Sequence, residues 1–172
     1  MLIKTLGSII IITCGLVFGM SEKAKLSGKT RILKDIINAV DFIHSEISCM
    51  CTPTEELLDK LCEMCTGEVE RFFRESKDYH LKRRDLPFAM IWNKILKNAV
   101  YLALNKNEEN TLSEIGNALG RYEADEQMRV LINARKNFVK YLCTAEDAQS
   151  RLGRLYGNLS LIPGIAIVII LL

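Results

Sequence analysis

The chain is apolar at both ends and charged between them. Residues 1–20 carry one charge, at Lys4, and would span about 30 Å as a helix, which is roughly the thickness of a bilayer core. Residues 155–172 carry none and would span about 27 Å. These segments predict an N-terminal and a C-terminal transmembrane helix on either side of residues 21–154. A lipid bilayer is therefore an expected partner.

Basic side chains mark the flanks of both apolar segments. They are Lys23, Lys25, Lys29, Arg31 and Lys34 after the first segment, and Arg151 and Arg154 before the second. Because positive flanks stay on the cytosolic side, we expect a cell-membrane protein whose middle lies in the cytosol and whose termini both reach the far side. A cleavable signal peptide would need a shorter apolar stretch and a small-residue exit, so an uncleaved anchor is predicted. A net charge of +2 gives no basic excess that would favour nucleic acid.

The middle of the chain has helical periodicity throughout. Only three prolines occur, and no clear alternating strand pattern competes with spacings of three and four. The prediction is an all-α fold, a cytosolic bundle of about six helices flanked by the two transmembrane helices. Residues 79–85 are predicted to form a loop and residues 105–110 a turn. The string "TLSE", Thr111 to Glu114, is interpreted as a capping box that starts a helix.

The stretch "IGNALGRYEADEQMRVL" places Gly116 and Gly120 four residues apart, with acids directly after them. No strand precedes it and no Lys-Ser/Thr pair follows, so a phosphate-binding loop is not predicted. Its polar neighbours also argue against a membrane-helix packing motif. We predict that Gly120 ends one helix and that Gly116 allows a close helix approach. Glu123 or Asp125 is then expected to place negative charge at the start of the next helix.

The helix predicted to start there is the longest of the bundle. Apolar residues follow a heptad-like stripe along it, interrupted by Arg135 and Gln149. If these polar positions are exposed, they are candidate docking points for a partner.

No catalytic motif is present, so the sequence predicts a protein that is not an enzyme, with no cofactor. Four cysteines, Cys49, Cys51, Cys62 and Cys65, have a spacing that zinc could use. Cys62 and Cys65 fall on an apolar helix face, where buried thiols are the simpler interpretation, so no metal site is predicted. A membrane-anchored thiol or zinc sensor stays open as an alternative function.

Several strings together resemble the stage III sporulation protein AB family. They are the start "MLIKTLGSIIII", "SEI" at 45–47, "TP" at 52–53, "IGNALGRYEADEQ" and the apolar tail "GIAIVIILL". In the family pattern, Leu119-Gly120 matches a Leu-Gly pair, Glu123 the following acid and Gln127 a glutamine. Departures from the pattern are Ile115 for a leucine, Glu123 where aspartate is more common, and Ser160 and Pro163 in the tail.

The resemblance implies a cytosolic domain similar to that of the type II secretion F-type platform proteins. It also implies a subunit of the mother cell-to-forespore transenvelope complex, acting from the mother-cell side during engulfment. The implied partners are a secretion-type ATPase, stage III sporulation protein AA, and other membrane proteins of the stage III sporulation A complex. The residues expected to carry interaction or packing are Gly116, Gly120, Glu123, Asp125, Gln127 and Arg135. Self-association, and a platform role in a general secretion or pilus machine, stay open.

Overall fold

The computed structural model describes the backbone of residues 2–50, 53–119 and 123–159, and the side chains of residues 24–48, 53–119 and 123–151. Within these ranges every regular element is helical. The elements are α1 (Leu2–Met50), α2 (Thr54–Met64), α3 (Gly67–Lys82), α4 (Phe88–Asn98), a short 3₁₀ helix (Val100–Leu102), α5 (Lys106–Leu119) and α6 (Ala124–Leu159). The predicted all-α class is confirmed.

All six α-helices contribute to one apolar core. On α1 the apolar residues that recur at spacings of three and four are buried, at Leu33, Ile36, Ile37, Val40, Ile43 and Ile47. The largest fully buried side chains are Leu33, Ile43, Leu58, Leu61, Phe72, Ile91, Trp92, Ile115, Leu131 and Phe138. Helix α3 packs against α2 and α4, and α4 packs against α5. An aromatic cluster on α3 and α4 lies at the centre, with the rings of Phe72 and Trp92 edge to face, 4.8 Å between centroids.

The chain forms two compact units. The larger comprises Arg31–Cys143 and contains the core described above. The smaller comprises Met1–Thr30 together with Thr144–Leu172. In the smaller unit, the Thr30 hydroxyl donates to the carbonyl oxygen of Ser27 at 2.9 Å and lies 3.4 Å from Oε1 of Gln149.

Among the residues whose side chains are described, no helix carries a stretch long and apolar enough to cross a membrane. The two predicted transmembrane segments, residues 1–20 and 155–172, lie outside that part of the chain. They stay predictions.

The predicted loop at residues 79–85 is wrong in its first half, because α3 continues through Lys82. Contacts with α4 hold this last turn in place. The Lys94 ammonium donates to the Tyr79 hydroxyl at 2.5 Å, and the ring of His80 meets that of Phe88 edge to face. These tertiary contacts extend a helix whose local sequence is polar enough to suggest a loop.

The turn predicted at residues 105–110 is wrong, because α5 already begins at Lys106. Helix α5 begins at Lys106, so Thr111 lies inside it and donates its hydroxyl to the carbonyl oxygen of Asn107 at 3.0 Å. The capping box is formed six residues earlier, by Asn105 and Glu108. Asn105 Oδ1 accepts the amides of Asn107 and Glu108 at 3.0 and 3.1 Å, and Glu108 Oε2 accepts the amide of Asn105 at 2.8 Å. The string "NKNE" therefore has the same cap-x-x-Glu signature as "TLSE".

Replacing Asn105 by alanine should lower the free energy of unfolding by about 1 kcal/mol, because two amides at the start of α5 lose their acceptor. Chemical denaturation followed by circular dichroism measures this loss. Asn110→Ala is the matched control, since Asn110 is exposed in the interior of the same helix. That control should leave stability unchanged or raise it by a few tenths of a kcal/mol. Equal effects of the two substitutions would contradict the assigned cap.

Candidate interaction site

Gly116 lies directly against the indole ring of Trp92. A methyl group added at Gly116 would overlap the ring, closer than real side-chain contacts come. The indole N–H of Trp92 donates to the carbonyl oxygen of Leu112 at 2.9 Å. Leu112 lies four residues before Gly116, so the indole crosses the helix surface where a side chain at position 116 would stand. Glycine is required here for close packing of α4 on α5.

A short polar ladder continues this contact between α4 and α5. The Asn93 side-chain amide donates to Oδ1 of Asn117 at 2.9 Å, and the Ser113 hydroxyl donates to Oδ1 of Asn93 at 2.5 Å. All three residues are half-buried. The ladder fixes the register of the two helices, because a shift of either helix would leave partly buried polar groups unpaired. Sequence reasoning missed Trp92 and Asn93 as partners of the glycine stretch.

Helix α6 begins at Ala124. The amide of Gln127 donates to the carbonyl oxygen of Glu123 at 3.0 Å, which places Glu123 at the cap position. Asp125 and Glu126 lie in the first turn, where negative charge is favourable with the helix dipole. Gly120 lies outside the described residues, so its predicted helix-ending conformation stays a prediction.

The acids at the start of α6 differ in whether the described residues provide them with a partner. Glu126 pairs with Arg129 at 2.7 Å. Glu123 and Asp125 are exposed, and within the described residues their carboxylates form no ion pair and accept no side-chain hydrogen bond. An exposed, uncompensated pair of carboxylates can attract a basic surface of another protein at little desolvation cost.

Arg135 lies further along α6 and is not free. Its Nε lies 2.5 Å from Oδ1 of Asp41 on α1, with half of the Arg135 side chain exposed. The pair borders a cleft of about 220 Å³ that also includes His44, Leu131 and Ile132. Because both charges stay in contact with solvent, the pair contributes at most about 1 kcal/mol to stability. Arg135 is exposed, as a docking residue must be, but its charge is already compensated by Asp41.

The Cys62 thiol, on α2, is half-buried, and the Cys65 thiol, directly after α2, is buried. Burial raises the pKa of Cys62, and it raises the pKa of Cys65 to about 12. Thiols with raised pKa values are poor nucleophiles and poor metal ligands. Cys49 and Cys51 lie outside the residues whose side chains are described. Within the described side chains, no group of three or more His, Cys, Asp or Glu residues could hold a metal ion.

The Cys65 thiol should resist alkylation in the folded protein. A pKa of about 12 leaves about a thousandfold less thiolate at pH 8 than an ordinary cysteine has, and burial also blocks the reagent. Treatment with iodoacetamide followed by peptide mass spectrometry should show the exposed Cys143 modified under native conditions, and Cys65 only after denaturant is added. Equal labelling of the two under native conditions would contradict the buried position of Cys65.

Comparisons with known proteins found a family model and a solved structure that match this chain. The family model described as stage III sporulation protein AB matches residues 4–172. A solved structure entitled "Stage III sporulation protein AB (SpoIIIAB)" matches with a TM-score of 0.65 and 21% identity, over 72% of this chain and 98% of that chain. No curated protein sequence matches this chain. The structural match supports the helical fold, and the family match covers nearly the whole sequence.

Proposed function

The chain belongs to the stage III sporulation protein AB family, and from this premise we propose that it is a non-enzymatic platform subunit of a sporulation membrane complex. In this proposal the unit formed by Arg31–Cys143 lies in the mother-cell cytoplasm and docks a secretion-type ATPase. Residues 1–20 and 155–172 anchor the chain in the membrane, with both termini on the far side. The partners are stage III sporulation protein AA as the ATPase and the other membrane proteins of the stage III sporulation A complex.

The docking proposal rests on the exposure and the lack of described ion-pair partners of two acids at the start of α6. Glu123 and Asp125 are exposed, and the described structure gives them no internal partner, although most acids of α2 and α3 pair with nearby basic residues. Glu123 also occupies the acid position of the family pattern. Exposed carboxylates at a helix N-terminus are suited to a basic surface, because within the described residues no ion pair and no buried structure must be disrupted on docking.

Reversing both charges tests the proposal. Glu123→Lys/Asp125→Lys in the full chain should strongly reduce co-purification of the ATPase, because attraction becomes repulsion at the contact. Loss of favourable helix-dipole interactions should lower stability by only about 1 kcal/mol, so the circular dichroism spectrum should stay helical.

The matched control is Glu63→Lys/Asp78→Lys, which reverses two exposed acids on α2 and α3. This control should co-purify as much ATPase as the unmodified chain. Undiminished co-purification by the Glu123/Asp125 variant would contradict the proposed docking site. So would an equal loss in both variants, since the effect would then follow net charge rather than position.

A further inference from the structure

A cleft between α1 and α6 opens beside an exposed apolar side chain. The cleft has a volume of about 220 Å³, and the apolar residues Val40 and Leu131 that line it are buried. Ile132 lines the same cleft and is 44% exposed. Of the large apolar side chains exposed in the described part of the chain, Ile132 is the one that lies on α6. A side chain of another protein could bury this apolar surface.

The rest of the cleft lining is polar, and its two opposite charges cancel. Nε of Arg135 lies 2.5 Å from Oδ1 of Asp41, and His44 completes the lining. Because Asp41 and Arg135 compensate each other, an incoming ion would gain no net attraction from the pair. An apolar side chain leaves the pair intact, with its charges at the polar rim that protein interfaces commonly have. The cleft therefore fits an uncharged, apolar group.

Asp125 lies on the same face of α6 as Ile132. The two residues are seven positions apart, which is nearly two helical turns, with an offset of about 20° around the helix axis and about 10 Å along it. Arg129 lies between them, and its charge is compensated by Glu126 at 2.7 Å. The exposed acid and the apolar cleft are thus neighbours on one continuous surface of α6.

Exposed carboxylates alone give a partner little affinity. An exposed ion pair contributes about 0–1 kcal/mol, and charges at the edge of an interface act mainly on the rate of encounter and on orientation. Most of the binding free energy comes from a few side chains that are buried in pockets on docking. A docking surface at Glu123 and Asp125 therefore needs an apolar contact within reach, and the cleft at Ile132 supplies one.

We propose that the cleft at Ile132 binds an apolar side chain of the partner that docks on Glu123 and Asp125. This inference rests on the proposed function, because it concerns the same surface and the same partner. The binding segment presents a lysine or arginine to the acids and a large apolar side chain to the cleft, about 10 Å apart. Two residues seven positions apart on one face of an amphipathic helix have this separation.

Ile132→Asn in the full chain tests the apolar contact. It should reduce recovery of the ATPase in co-purification about tenfold, because a polar amide replaces the apolar wall of the cleft. Ile132→Leu keeps the apolar surface and should keep most of the recovery. The association that remains with Ile132→Asn should still weaken as salt rises, because the acids are unchanged.

The matched control is Val100→Asn. Val100 is also β-branched and is 83% exposed, but it lies on the 3₁₀ helix, outside the cleft. The control should recover as much ATPase as the unmodified chain. A photoreactive amino acid at the exposed position 136, four residues after Ile132 on the same face of α6, should crosslink to the ATPase. That measurement leaves the cleft intact, so it decides the matter even if circular dichroism shows that Ile132→Asn has lost its helical fold.

Comparison with Glu123→Lys/Asp125→Lys separates failure of this inference from failure of the proposed function. If charge reversal lowers recovery while Ile132→Asn behaves as Val100→Asn does, the cleft binds no anchor and docking at the acids stands. If neither variant lowers recovery, the proposed function itself fails. A loss with Ile132→Asn alone would show that the cleft and the acids do not share one partner, and no crosslink from position 136 would overturn the inference as well.

Discussion

Replacing Gly116 by alanine should lower the free energy of unfolding by about 1–2 kcal/mol, although alanine favours a helix more than glycine does. The added methyl group would overlap the indole of Trp92, which is fully buried and held through its N–H by Leu112. Overpacking of a core costs about 1–3 kcal/mol, and overlap with a buried ring belongs to the upper part of that range. The gain in helix propensity offsets about 1 kcal/mol of the cost. Urea denaturation followed by the fluorescence of the single tryptophan measures the loss.

Gly28→Ala is the matched control for this substitution. Gly28 also lies within a helix, α1, and a methyl group there would meet no atom within 4 Å. It should therefore leave stability unchanged or raise it by up to about 1 kcal/mol through helix propensity alone. A Gly116→Ala protein as stable as the Gly28→Ala protein would contradict the close packing of α5 on Trp92.

Replacing Trp92 by alanine should cost about 3–5 kcal/mol, the largest effect expected of any single substitution described for this protein. The ring is fully buried, packs edge to face on Phe72, and supplies the hydrogen bond to Leu112. Circular dichroism in urea measures the loss, because the fluorescent side chain is removed. Trp92→Phe keeps part of the ring contact and should cost less.

The double variant separates direct contact from general weakening of the core. With Trp92 already replaced by alanine, the overlap at Gly116 disappears, so Gly116→Ala should become neutral or slightly stabilising in that background. The two substitutions should thus be coupled by at least about 1 kcal/mol in a double-mutant cycle. Additive effects would show that the glycine and the indole do not share one contact.

The helical class of this fold and the buried face of α1 could be predicted from the sequence, because both depend on the periodicity of apolar residues. The apolar stripe of α1 follows from spacings of three and four, which burial on one face requires. Helix ends were harder to predict. "NKNE" and "TLSE" have the same capping signature six residues apart, and local sequence does not say which one is used.

The contacts of the candidate site depend on residues distant in sequence. A close approach was expected at Gly116, but the identity of its neighbour follows from the packing of α4 on α5, which brings Trp92 onto that helix. The helical state of Tyr79 and His80 likewise depends on Lys94 and Phe88. Such pairings are set by tertiary structure, which overrides local propensity.

The central proposal, that the start of α6 docks the ATPase, is tested most directly by photocrosslinking in sporulating cells. A photoreactive amino acid at position 123 should crosslink to the ATPase, and the same group at the exposed Glu63 should not. Mass spectrometry of the crosslinked bands identifies the neighbour without prior assumption. Crosslinks from position 123 that include no ATPase, or equal ATPase crosslinks from both positions, would contradict the proposal.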